Sequence, residues 1–309
     1  GNETDGGLSG GEVDPVARIT SIIVTKDHSL SGTGLSNEVK VEVEDALGAP
    51  LSGFPVNASV DNNAQIKQPS VILDANGTAI FEVTNNVAGE VIVSASVINS
   101  STESVATNFD AVISGANVNE HSFGVNDGFP TTGGEGYNFS LEINGTTDFN
   151  NLYTWGSNHA SATVNNGVVT IQSDDVVNAP VEIHFESPDG KVSGVYTFTI
   201  NSWFVLYAGY VNKASAENGC ISIGMSVPSL GMVTNSTPSG GTGPAASRGI
   251  GTLIGEWGNL NSFPPGDITW VWAREQYTSS PKRDYTVSVI NGAISNDTVT
   301  NERRVICHK

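Results

Sequence analysis

Cysteine is nearly missing: two residues in 309, which excludes a disulfide-dense scaffold and a zinc site of four cysteines but permits one bridge. Cations are scarce as well. Thirteen Lys and Arg face 32 Asp and Glu, a formal net charge of −19. Such a polyanion repels phosphate backbones and anionic bilayers, so neither nucleic acid nor direct membrane insertion is expected. Charged residues reach only 15%, below the roughly 25% of ordinary globular domains, which argues against Glu/Lys-rich helices. No window approaches about 18 consecutive apolar residues, so no membrane-spanning helix is expected. No basic segment followed by an apolar core opens the chain, so a signal peptide is absent or already removed.

Motifs that carry chemistry are also missing. His28, His121, His159, His184 and His308 are scattered, and no H-E-x-x-H, Cys-x-x-Cys, Walker loop or G-x-G-x-x-G occurs. Gly7-Leu8-Ser9-Gly10-Gly11 matches the G-x-S-x-G nucleophile elbow in letters. It lacks the preceding apolar strand and following helix that aim such a serine. Asp174 and Asp175 are adjacent, hence on opposite faces of a strand and read as a solvated edge. No enzyme, metal or cofactor is expected.

What the chain has is glycine, 35 residues of it, and period-two patterning. Residues 1–13 (GNETDGGLSGGEV) read as a flexible lead-in. In NEVKVEVED, Val39, Val41 and Val43 share one face and Lys40, Glu42 and Glu44 the other. GTAIFEVT and GEVIVSASV repeat the pattern between Gly/Asn turns, which implies an antiparallel sandwich over 14–110, held by burial alone since no Cys lies there. Residues 111–201 form a second such module: Tyr196, Phe198 and Ile200 point one way, and Trp155 is expected to fill its core.

The last third differs. Residues 1–110 carry 4 Lys/Arg against 15 Asp/Glu (net −11), 111–201 carry 1 against 10 (−9), and 202–309 carry 8 against 7 (+1). Four of five tryptophans and both cysteines also lie in 202–309. WFVLYAGY suits a buried strand, and VNKASAENGC is the best helix candidate, capped by Asn212. Ser226–Leu230 opens a second helix, residues 235–247 are a loop, and strand-like DITWVWAREQ, YTVSVI and RVICHK follow. Trp257 and Trp272 are assigned to the core. The 201–203 junction, without Gly or Pro, argues for close packing of the second module and the last. Cys220 and Cys307 stand near opposite ends of this module. A bridge, expected in preference to two buried free thiols, would close a loop worth about 4–5 kcal/mol in the chain-entropy picture.

Several blocks resemble a known family. Asp45–Gly53 (DALGAPLSG), Leu73–Ala79 (LDANGTA) and Ala88–Val91 (AGEV) are similar to the bacterial Ig-like repeat of intimin and invasin adhesins. Val118–Phe123 (VNEHSF) and Gly128–Gly133 (GFPTTG) resemble the last Ig-like domain before the invasin tip. Gly251–Leu260 (GTLIGEWGNL) is similar to the Leu-x-x-Glu-Trp-Gly block of such tips, and the order helix, helix, loop, closing strands resembles a C-type-lectin-like domain. The resemblance implies a mostly β chain: two tandem Ig-like β-sandwiches, then a C-type-lectin-like α+β domain over 202–309. A monomeric fragment is expected, and the resemblance further implies an extracellular piece of a bacterial surface adhesin, anchored by an outer-membrane β-barrel upstream, whose relatives bind host proteins including integrins and a bacterially delivered receptor. The Glu-Pro-Asn or Gln-Pro-Asp and Trp-Asn-Asp tripeptides of calcium-dependent sugar binders are lacking, which argues against that chemistry.

The expected partner is a host cell-surface receptor or secreted host protein bound by the tip. Candidate contacts are Arg248, Arg274, Tyr277, Lys282 and Arg283, because Arg and Tyr dominate binding hot spots and YTSSPKRDY is polar and loop-like. Asp267, Asp284 and Asp297 are the acidic alternatives if the partner reads a carboxylate. A structural spacer with a capping tip, or a carbohydrate-binding module, are the competing readings.

Overall fold

The computed structural model of the chain describes residues 16–309. The lead-in expected over 1–13, with its Gly7–Gly11 motif, lies outside the described residues. Contacts divide the chain into two compact units, one holding residues up to 112 with Leu152–Thr154 and Glu186–Gly194, the other holding Ile113–Asn151, Trp155–Phe185 and Val195–Lys309.

The first unit is an Ig-like sandwich built on the valine alternation. In the strand Asn37–Asp45, Val39, Val41 and Val43 are buried while Lys40 and Glu42 face water. It pairs antiparallel with Ala17–Lys26 and Thr78–Thr84, and Gln65–Ile66 completes a four-stranded sheet. A five-stranded sheet runs Ser29–Leu30, Glu103–Asp110, Gly89–Val97, Pro55–Val60, Ser70–Ile72. Both sheets contribute to one buried cluster that includes Phe81 and Phe109. The family blocks are its turns. Asp45 Oδ1 accepts from the amides of Leu47 and Ala49 at 2.9 and 3.0 Å, and Asp74 Oδ1 does the same for Asn76 and Thr78. Gly77 sits at φ +72°, and a Cβ there would fall 2.6 Å from the Val43 carbonyl, so only glycine fits.

The second unit holds a second Ig-like sandwich. Its five-stranded sheet runs His121–Gly124, Ile113–Val118, Asn138–Ile143, Val168–Ile171, Ala162–Asn165, and a three-stranded sheet joins Thr154–Ser157, Val181–Glu186 and Ser193–Phe198. Tyr196, Phe198 and Ile200 are buried as their alternation requires. Two expectations need correction. Trp155 is only half-buried: its ring lies 5.8 Å from Phe185 and its indole N–H donates to the carbonyl of buried Asn150 at 2.8 Å, so the ring lies at the core's margin. Asp174 and Asp175 lie in a single 3-10 turn, Asp174–Val176, not on a strand, and Asp174 accepts from Lys309 Nζ at 2.6 Å.

The same unit contains the C-type-lectin-like head. Its six-stranded sheet runs Thr132–Gly134, Ser202–Val211, Arg303–His308, Trp270–Ser279, Lys282–Ser288, Ile294–Thr298. The first of these comes from within the second sandwich's stretch of chain and pairs in parallel with Ser202–Phe204. The helix Lys213–Ser222 starts where Asn212 Oδ1 accepts from the Ser215 amide, and its Cys220 is bonded to Cys307. Short helices Leu230–Val233 and Leu253–Trp257 follow. Trp203, Phe204, Trp257 and Trp272 are core, but the strand beginning at Ser202 is not buried throughout: Tyr210 is 57% exposed.

Candidate functional site

The candidate residues sort themselves by what their side chains already hold. Arg248 is not free for a partner. Its guanidinium donates to the carbonyls of Asn119 (2.8 Å), Val118 (2.9 Å), Glu256 (3.0 Å) and Gly255 (3.2 Å), and burial holds its pKa below the usual arginine value. Asn119 completes the clasp, its side-chain amide donating to the Trp257 and Asn259 carbonyls at 2.7 and 3.0 Å. Gly258, at φ +72°, leaves room that a Cβ would take from Arg248 Nη1.

Beside this clasp the Glu256 carboxylate is fully buried and accepts from five donors: the amides and hydroxyls of Thr131 and Thr132, and the Gly251 amide. The Trp257 indole donates to the Thr132 carbonyl at 3.1 Å, and its ring lies 5.0 Å from Phe129 and 5.2 Å from Tyr137. VNEHSF, GFPTTG and GTLIGEWGNL thus meet as one joint within the second unit. Their shared role is structural.

Two acidic candidates are also withdrawn. Asp284 is buried, its side chain 1% exposed, and it pairs with Lys213 Nζ at 2.6 Å and Lys282 Nζ at 3.2 Å. Asp297 accepts from Arg303 Nε and Asn301 Nδ2, each at 2.7 Å. Burial pushes its carboxyl up, but Arg303, Asn301 and the Thr298 amide together hold it below the usual range. Asp267 is exposed, at φ +58° in the irregular stretch before the strand Trp270–Ser279, and Arg274 is exposed on that strand. Neither is drawn into a cluster.

The segment expected as a polar loop, 277–285, is a hairpin: Ser279 faces Lys282 across a Ser280-Pro281 turn. Strand alternation buries Asp284 and Thr286 and leaves Arg283 and Tyr285 on the other face. The Tyr277 and Tyr285 rings lie 5.5 Å apart, and Tyr277 remains 39% exposed. Arg283 is held flat by Asn296 Oδ1 (2.6 Å) and Thr298 Oγ1 (2.9 Å) on the neighbouring strand. Tyr285 Oη donates to the Gly240 carbonyl at 2.8 Å and Asn296 Nδ2 to Gly241 at 2.7 Å, which pins the 239–243 turn beside the tyrosines. This face gathers Tyr277, Tyr285, Arg283 and Asn296, with Lys282 at the hairpin end. Rigid, half-exposed aromatics with a pre-oriented guanidinium are what a protein-binding hot spot requires. Tyr285 and Asn296 were missed in the sequence, although the alternation in RDYTVSV separates Tyr285 from its buried neighbours. Among the described residues, no group of three or more His, Cys, Asp or Glu side chains is placed to hold a metal ion, and no helix is long and apolar enough to cross a membrane.

Residues 19–110 match the family described as bacterial Ig-like domain (group 1), and residues 114–198 match invasin, domain 4. No curated protein sequence matches the chain. Among solved structures it resembles invasin, a bacterial integrin-binding protein, at 21% identity and TM-score 0.56, over 93% of this chain and 58% of that one. It resembles the C-terminal 282-residue fragment of intimin, solved with the intimin-binding domain of the translocated intimin receptor, at 19% identity and TM-score 0.50, over 94% of this chain and 99% of that one. The chain therefore spans a little over half of the invasin structure's length. With two tandem family matches running from residue 19 to 198 and a fold that matches those of invasin and intimin over 93% and 94% of its length, the chain belongs to the intimin/invasin family of bacterial adhesins.

Proposed function

We propose that this adhesin binds a host protein, a cell-surface receptor or a secreted protein, through the Tyr277–Tyr285 face of its lectin-like head, displayed at the bacterial surface with the Ig-like domains preceding it in the chain. The observation that carries this reading is the pairing of exposed Tyr277 with half-buried Tyr285 beside Arg283, on a segment of net charge +1 in a chain of −19. The acidic remainder would repel the acidic surfaces of cells, whereas the head would not. Invasin's integrin binding and intimin's complex with its receptor supply the class of partner. The chemistry of this face favours recognition by aromatic stacking and a guanidinium over recognition of a metal-bound sugar.

Attachment of beads coated with the chain to cultured epithelial cells tests the reading. Tyr277→Ala and Arg283→Ala should each lower attachment by about tenfold, as hot-spot truncations do, with unfolding midpoints nearly unchanged. Asp267→Ala, away from the face, should leave attachment intact. Undiminished attachment in both of the first two variants would overturn the assignment. Point variants are preferable to deleting 202–309, because that segment folds as one unit with the second sandwich.

A further inference from the structure

The six-stranded sheet of the head carries a cavity on one face that protein binding through the tyrosines does not use. Leu206 and Ile306 are cross-strand partners there, on Ser202–Val211 and Arg303–His308. With Tyr137, Pro264 and Pro265 they bound a space of about 510 Å³. That is within the roughly 300–1,000 Å³ of small-molecule sites, and its lining is mostly hydrophobic as such sites are.

Arg304 also lines the cavity, and its Nε is buried with no hydrogen-bond partner. The guanidinium does lie over the Tyr210 ring, 5.4 Å from its centroid, which leaves the in-plane N–H donors uncommitted. A buried, unpaired charged donor is costly, and a guanidinium fork matches a carboxylate in a two-point, planar contact. Arg304 is the only cation among the lining residues, which fits a singly charged head group and not a phosphate, whose sites gather several cations. Glu135 stands among the lining residues but is exposed, where water screens it.

We infer that this cavity is a binding site for an amphipathic monocarboxylate. Its carboxylate pairs with Arg304, and its hydrocarbon part lies on Leu206, Ile306 and the Pro264-Pro265 wall. Nothing in the adhesive reading requires it, so the two stand or fall separately.

Titration calorimetry of the full chain with octanoate, 1-octanol and octylammonium tests the site. Saturable binding of octanoate at one site per chain is expected, about tenfold or more tighter than 1-octanol, since hydrogen bonds to charged groups carry that much discrimination. Octylammonium should not compete. Arg304→Met should erase the preference for octanoate over octanol, and Glu135→Gln, at a water-screened carboxylate, should leave octanoate binding nearly unchanged. Absence of saturable octanoate binding, or equal binding of octanoate and octanol, overturns the inference. Because that comparison is made on the unaltered chain, it decides the matter even if Arg304→Met fails to fold.

Discussion

Glu256 Oε1 accepts two hydrogen bonds from one residue, Thr132, from its amide at 2.9 Å and from its hydroxyl at 2.7 Å. A carboxylate with no exposed surface is tolerable in a protein only when its lone pairs are filled, and here three further donors fill them. No cation is needed: backbone and hydroxyl dipoles supply the compensation. The Glu-Trp-Gly of the Leu-x-x-Glu-Trp-Gly block has its physical reason in these contacts. Glu256 is held by Thr131 and Thr132, Trp257 donates to Thr132 and packs on Phe129, and Gly258 leaves space for Arg248.

Removing that acceptor should therefore be severe. Glu256→Ala leaves the buried Thr132 amide and the half-buried Thr131 amide without partners, and each orphaned donor costs about 1–3 kcal/mol, whereas the Gly251 amide, on an exposed residue, can turn to water. A loss of about 3 kcal/mol or more is expected in the second unit, read as a lower urea midpoint. Tryptophan fluorescence is a clean reporter, since all five tryptophans lie in that unit. Glu256→Gln keeps one acceptor oxygen and should cost visibly less. Equal, small effects from both substitutions would mean the joint is held by the Trp257 packing alone.

How much of this was legible beforehand depended on how local the signal was. Val39, Val41 and Val43 announce their sheet because period-two burial needs nothing beyond the strand itself. Asn212 announces the helix Lys213–Ser222 in the same way, since its cap closes within three residues. The binding face was harder to read. Arg248 and Asp284 have the composition of contact residues, but their partners, Val118 and Lys213, lie 130 and 71 positions away, where no spacing rule reaches. Ser280-Pro281 suggested a loop. The hairpin it closes shows only in the pairing of Ser279 with Lys282, and that pairing is what places Tyr285 on the same face as Arg283.

The Lys213–Asp284 pair allows a sharper energetic test than any surface ion pair. Both side chains are almost fully buried, at 2% and 1% exposure, and Lys213 Nζ also donates to the Arg274 carbonyl at 3.2 Å. Breaking such a pair from one side strands a charge and costs about 3–5 kcal/mol. Lys213→Met is expected near the low end of that range, because Lys282, half in solvent, still reaches Asp284. The double variant Lys213→Met with Asp284→Asn removes the stranded charge and should recover much of the loss. A thermal-unfolding double-mutant cycle measures the coupling. Additive losses would show that the two groups do not stabilise each other.

Acidification should weaken the second unit through its histidines. Burial, reinforced by Arg274, holds the His308 imidazole below its ordinary value of 6.5. Burial, reinforced by Arg248 and partly opposed by Asp127, does the same to His121. A histidine whose folded pKa is depressed costs nothing above 6.5, where both states are neutral. As pH falls below 6.5 the unfolded chain takes up the proton first, so stability declines toward the lower folded pKa. In the first unit His28 runs the other way: its hydrogen bond to Asp110 raises its pKa, so its contribution is complete below 6.5 and fades as pH climbs through the raised value. Because the tryptophans report only on the second unit, their urea midpoint should drop between pH 7.5 and 5.5, a window above the titration of ordinary carboxylates. His308→Gln, neutral at both values, should shrink that drop. An unchanged drop in His308→Gln and in His121→Gln would assign the acid sensitivity to groups other than these two imidazoles.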